Sequence, residues 1–145
     1  MADIGAELKT YLKTISAITD LVGATTAARI HSHLARQKWT TPPWIVFHVL
    51  AGTSFEDLTG PSGLITSHIQ IDAYGTSEAQ AKSLHDAIHT ALMVTNGAGR
   101  YTMGSTYIHG VTSVGGFEED HETPQPGKDI SRYICSRDYQ ITYGE

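Results

Sequence analysis

The chain has a single cysteine, Cys135, which excludes an internal disulfide framework. It lies in a strand-like run, where a small buried thiol is expected. Basic residues are also few: 10 Lys and Arg stand against 15 Asp and Glu, for a formal net charge of -5 and a pI near 5.8. Phosphate binding rests on clustered Lys and Arg, so this balance disfavours a general nucleic-acid binder. No apolar run approaches the length needed to cross a bilayer. The start, MADIGAELKTYLK, lacks the basic residues and unbroken apolar segment of a secretory signal, so the cytoplasm of the producing cell is the expected compartment. Three fingerprints are missing as well: the G-x-S-x-G nucleophile elbow, the phosphate-binding G-x-x-x-x-G-K and the dinucleotide G-x-G-x-x-G. With no catalytic, cofactor or metal signature, an enzyme is not the expected class.

The remaining composition, 40% hydrophobic and 17% charged over 145 residues, is that of a folded globular chain. One domain spanning 1–145 is expected. Its organising stretch runs from Ser67 to Leu92. Ile65, Ile69, Ile71 and Ala73 alternate with Thr66, His68, Gln70, Asp72 and Tyr74, the period of a strand with one dry face. The period then changes. Ala81, Leu84, Ile88, Ala91 and Leu92 form one stripe of a helix that needs a flat apolar partner, which the strand supplies. Gly75 permits the reversal, Ser77 with Gln80 has capping-box spacing, and Asn96-Gly97 is the stop signal.

Before this unit, Ile4, Leu8, Tyr11, Leu12, Ile15 and Val22 predict a first helix over Asp3 to Val22, ended by Gly23. Arg29 to His31 reads as a short edge strand. Pro42-Pro43 marks a boundary, and Trp44 to Leu50 reads as a central strand. The glycines and proline of 51–63 predict a protruding loop. After the helix, a strand is expected from about Ser105 to Val114, with Gly110 allowing a bulge. The stretch 115–129, rich in acids and proline, reads as a mobile loop. Ile130 to Tyr143 is the last strand, with Tyr133, Cys135, Tyr139 and Ile141 on one row. The sum is an α+β fold: an antiparallel sheet of four to five strands with two helices packed on one face.

Few constellations here could carry chemistry. His85 and His89, four apart on a helix with Asp86 between them, have the spacing of a zinc-protease motif. They fall on the polar side of the stripe, so a solvated face or a subunit contact is the simpler reading, with a metal-dependent hydrolase as the alternative. Asp72 lies on the polar row of its strand and reads as solvated. Glu118, Glu119, Asp120 and Glu122 lack calcium-loop spacing. Arg29, Arg36 and Lys38, with His31 and His33, form the one locally basic stretch. Of the two tryptophans, Trp44 is the better core candidate and Trp39 the better interface anchor.

The order of these markers carries a resemblance. A first helix ending near a glycine is followed by Arg29-Ile30, by Pro43-Trp44-Ile45-Val46, by the strand His68 to Tyr74, and by a helix with Ala81, Leu84 and Leu92. This resembles the small tail-completion or tail-terminator proteins of long-tailed bacteriophages, from the first helix to about Val94. The resemblance implies a structural virion protein, forming a hexameric ring at the head-proximal end of the tail tube. Such a ring stops tube polymerisation and offers a surface to the neck, while DNA passes through the lumen without specific binding. Its implied partners are further copies of itself, the tube protein and a neck or head-completion protein, with no membrane, and its location is the virion after assembly in the host cytoplasm. Another head-tail connector of similar size is the alternative. The loops at 51–63 and 115–129 would contact neighbours, and the basic stretch would meet an acidic partner, so the candidate interface residues are Arg29, Arg36, Lys38 and Trp39 with Glu56, Asp57, Glu118, Glu119 and Asp120.

Overall fold

The computed structural model describes residues 3–23, 28–32, 42–57, 60–93, 101–122 and 132–144. Its elements are α1 (Ile4–Leu12), α2 (Ser16–Val22), β1 (Ile30–Ser32), β2 (Trp44–Asp57), β3 (Gly60–Gly75), α3 (Glu78–Leu92), β4 (Tyr101–Met103), β5 (Thr106–Glu122) and β6 (Arg132–Gly144). The strands form a 6-stranded sheet in the order β1-β2-β3-β6-β5-β4. The class is α+β as expected, but the described residues form six strands and three helices rather than the four to five and two read from the sequence.

Four differences have local causes. The first helix is two: Lys13 caps the end of α1 and Ile15 the start of α2, so the apolar period continues across a break in the backbone. β1 runs parallel to β2, while every other pairing is antiparallel. Such a parallel pair needs a crossover, and residues 33–43 separate the two strands. Residues 51–57 and 60–63 are the far parts of β2 and β3 rather than a loop, with 58–59 outside the described residues. The register shifts at Val49/Ala51 and Ser54/Glu56 absorb the surplus residues as bulges. Pro61 is tolerated because it lies past the Leu64–Gly144 pair, where β3 has β2 as its one neighbour. Likewise 115–122, read as a loop, continues β5: Glu118 to Glu122 pair with Ser136 to Arg132. In both places a neighbouring strand outweighs local turn and charge signals.

Alternation divides the sheet. Ile45 and Phe47 of β2, Ile65, Ile69, Ile71 and Ala73 of β3, and Tyr139, Ile141 and Tyr143 of β6 join Ile4, Leu8, Leu12, Ile18, Val22, Leu84, Ile88 and Leu92 of the helices in one buried core. All three helices therefore lie on one face, α3 across β3 and β6. The burial of Trp44 and Cys135 agrees with the sequence reading. Trp44, however, sits on the opposite row, stacked on Tyr74 with ring centroids 5.4 Å apart.

The ends of α3 show how the sequence positions it. Ser77 Oγ accepts from the Gln80 amide at 3.2 Å. The Gln80 side chain reaches back one residue further than a capping box, accepting from the Thr76 amide at 2.8 Å and the Thr76 hydroxyl at 2.9 Å. Gly75 is required here by close approach: a Cβ would stand 2.5 Å from the Ala81 amide nitrogen. At the other end, two carbonyls that a helix leaves without intrahelical donors are met by tyrosines. Tyr11 of α1 donates to Ala91 O at 2.6 Å, and Tyr101 of β4 donates to Leu92 O at 3.0 Å. Burial pushes the hydroxyl pKa of both tyrosines upward, keeping each a donor. The Asn96-Gly97 stop signal lies outside the described residues; α3 ends at Leu92 with Met93 as its cap.

Candidate functional site

Two polar constellations and one set of edge residues are candidates, and strand pairing decides what each can do. The first lies between α3 and β6. β6 pairs with β3 so that Arg137 opposes Ile71 and Tyr139 opposes Ile69, which sets both on the helical face. There they meet the histidines of α3. The Tyr139 hydroxyl is 3.0 Å from His89 Nδ1, and Arg137 Nη1 lies 3.0 Å from Nδ1 and 3.2 Å from Nε2. A guanidinium can only donate, so His89 presents an unprotonated ring nitrogen to it. The pKa of His89 is lowered accordingly, first by burial, then by Arg137 and by His85, with Asp86 opposing. Burial pushes the Tyr139 hydroxyl up to about 12, with Arg137 opposing and Asp86 adding.

His85 overturns the expectation of a solvated histidine. It is 4% exposed, with Nδ1 3.2 Å from Asp86 Oδ1, and its ring lies parallel to that of His89, centroids 6.2 Å apart. The side of α3 read as polar is thus turned partly inward, because β6 supplies polar partners beneath it. As a metal centre the pair is poorly furnished: the Arg137 guanidinium stands where a cation would be repelled. Among the described residues no group of three or more His, Cys, Asp or Glu side chains is placed to hold a metal ion.

The second constellation is on the sheet's other face. Asp72 is 7% exposed rather than solvated. Its Oδ1 accepts from Ser136 Oγ at 2.6 Å and from Gln70 Nε2 at 3.1 Å, and its Oδ2 lies 3.5 Å from His48 Nε2. Three strands thus converge on one carboxylate. Beside it, His68 Nε2 stands 3.2 Å from Asp138 Oδ2, and Thr66 and Thr142 share a hydrogen bond of 2.8 Å. Serine, aspartate and histidine meet here in the wrong order for catalysis: the hydroxyl donates to the carboxylate, with no imidazole between them to take its proton. The arrangement ties β2, β3 and β6 together.

The candidate interface residues do not gather in one place. Arg29 leads into β1, half-buried, its amide donating to Val22 O and its carbonyl accepting from the Ile45 amide, each at 2.9 Å. Glu56 and Asp57 end β2 opposite Pro61 and Gly60. Glu118, Glu119 and Asp120 pair with Ser136, Cys135 and Ile134 at the sheet's other end. Since Ser136 opposes Asp72, the two acidic groups stand about 11 residues apart along β3, or about 36 Å. Arg36, Lys38, Trp39 and His33 lie outside the described residues. The sequence does not single out Arg137 or Ser136, and it marks Tyr139 only as one of an alternate row of the last strand. Each looks ordinary in a strand, and only the β3–β6 register brings it to its partners.

No curated protein sequence matches the chain. Among solved structures, a chain from the virion of a native gene transfer agent particle has a similar fold, with a TM-score of 0.64 at 13% identity over 97% of this chain and 95% of that one. The gp17 protein of bacteriophage SPP1 aligns at a TM-score of 0.44 and 14% identity, over 98% of this chain and 91% of that one. The sequence model of the family described as tail completion protein gp17 matches residues 6–98, which hold most of α1 and all of α2, β1, β2, β3 and α3. The chain belongs to the tail completion protein gp17 family of bacteriophage structural tail proteins.

Proposed function

We propose that this chain is a tail terminator: a ring, of six copies by the resemblance drawn from its sequence, seated on the head-proximal end of the tail tube. The ring stops addition of further tube protein on one side and offers a joining surface to a neck or head-completion protein on the other. The observation that carries this reading is the family match over residues 6–98. Two features agree with it. The polar clusters are built as ties between elements rather than as reaction centres, as a non-enzymatic building block requires. The net charge of -5 suits a component through which DNA slides without sticking.

A ring has two different faces and a heterologous contact whose rotation closes. Assembly in the host cytoplasm and residence in the finished virion follow from that role. The test is deletion of the gene from the particle that encodes it. Tails of irregular length, or heads without tails, are expected. Normal infectious particles would refute the proposal. Imaging of tail ends separates a terminator from another neck component, because a terminator ring sits directly on the last tube layer.

A further inference from the structure

The sheet's two outer edges are covered over opposite halves. β1 pairs with β2 only along Ile45 to Phe47, and β4 pairs with β5 only along Thr106 to Ile108. Among the described residues, β2 from His48 to Asp57 and β5 from His109 to Glu122 have no strand on their outer side. Register fixes the levels. Ile30, Ile45, Ala73, Cys135 and Glu119 stand in one row, so β1 is level with the acidic part of β5. Tyr101, Ile108, Tyr143, Ile65 and Ser54 stand in another, so β4 is level with the far half of β2. Among the described residues the sheet is therefore five strands wide at each of these levels, stepped sideways by one strand between them.

A stepped sheet is complementary to a copy of itself. The pairings make β1 and β4 run in the same direction. Set edge to edge, β4 of one copy and β1 of the next therefore share a single strand position, between β5 of the first and β2 of the second. Charge agrees with this placement. The uncovered half of β5 holds Glu118, Glu119, Asp120 and Glu122, while β1 is entered through Arg29, which is level with Asp120. Two copies meeting β5 to β5 would instead oppose like charges.

We infer that copies of this chain join head to tail through these edges, the acidic half of β5 in one copy lying antiparallel against β1 of the next. The inference rests on the ring reading and supplies its heterologous contact. Among the described residues no strand lies beyond β1 or beside the acidic half of β5, so each can extend the other's ladder, as when a peptide adds a strand to a sheet, and the charges set which edge meets which.

The test is a charge exchange in cells producing the particle. One variant carries Glu118→Lys, Glu119→Lys and Asp120→Lys; the other carries Arg29→Glu. Each alone opposes like charges at every contact, and tailed particles should fall about tenfold or more, the effect of about 1.4 kcal/mol or above. Co-produced, the two alternate around the ring with opposite charges at every contact, and the count should recover. Thermal melting of each purified variant checks that it folds. If either does not, Ser32→Cys with Asp120→Cys replaces it: a short bis-maleimide should then link copies into a ladder ending in a closed ring, with buried Cys135 unreactive. Wild-type counts from either single variant, no rescue by the folded pair, or absence of the ladder would overturn the inference. Wild-type tail ends that carry a ring in such a case leave the ring reading standing; tail ends without one remove that reading too.

Discussion

Replacing Asp72 by alanine should destabilise the fold well beyond what its place on a polar strand row implies. The carboxylate side chain is 10% exposed and receives a short hydrogen bond of 2.6 Å from Ser136 and another of 3.1 Å from Gln70. Hydrogen bonds to an ionised group are worth about 1.5–3 kcal/mol each, and deleting the acceptor leaves both donors to find new partners. Ser136 and Gln70 are half-buried, so water offsets part of that loss. His48, at 3.5 Å, adds little. The net expectation is about 3 kcal/mol for Asp72→Ala. With an unfolding entropy of about 2.1 cal/mol/K per residue, that lowers Tm by about 10 °C. Asp72→Asn keeps an acceptor for Ser136 and Gln70 but loses the charge, and should cost about half as much. Denaturant unfolding is the assay, with Ser136→Ala completing a double-mutant cycle whose coupling should exceed about 1 kcal/mol. Asp138→Ala serves as the control, because its pair with His68 is one-third exposed on both sides. A change within about 0.5 kcal/mol for Asp72→Ala, the range of ordinary surface substitutions, would refute the reasoning.

Gly75→Ala should cost about 2 kcal/mol or more, since the new Cβ meets the Ala81 backbone at 2.5 Å and 3.0 Å and the start of α3 must shift; Gly110→Ala, with nothing within 4 Å, should be close to neutral by the same chemical melts. Acid should weaken the fold through His89. Its folded pKa is lowered, so below about pH 6.5 the unfolded chain takes up a proton that the native ring resists, and stability falls as pH falls. The slope of stability between pH 7.5 and 5.5 should be smaller in His89→Gln, and an unchanged slope would remove His89 from the account.

Local signals in the sequence carried the helical layer well. The strand-to-helix unit around Gly75, the stripe of α3, the cap at Ser77 and the buried Trp44 all follow from spacing within a few residues, which is the range over which side-chain periodicity acts. The ends of the long strands did not follow. Gly52, Gly60, Pro61 and Gly63 are turn formers in isolation, and the acids of 118–122 repel one another. Both stretches are strands because the next strand in the chain holds their backbone groups in a ladder, a pairing that local composition does not encode. The break between α1 and α2 was hidden for another reason: the apolar period runs on from Leu12 to Ile18 although the backbone turns at Lys13.

The histidines of α3 show the physical limit most clearly. On a helical wheel, polarity assigns His85 and His89 to water, because a polar residue facing an apolar sheet would be left without a partner. That inference assumes the sheet beneath is apolar. β6 breaks the assumption by placing Arg137 and Tyr139 on the helical face, in rows with Ile71 and Ile69, so that polar groups meet polar groups across the layer. Which side of a helix is buried thus depends on what the opposite surface offers, and that surface was assembled from residues 48 and 50 positions away in sequence. The acidic run of β5 obeys the same logic at the sheet's edge. Its acids signal a loop in the sequence, yet the backbone from Glu118 to Glu122 is laddered to that of Ser136 to Arg132.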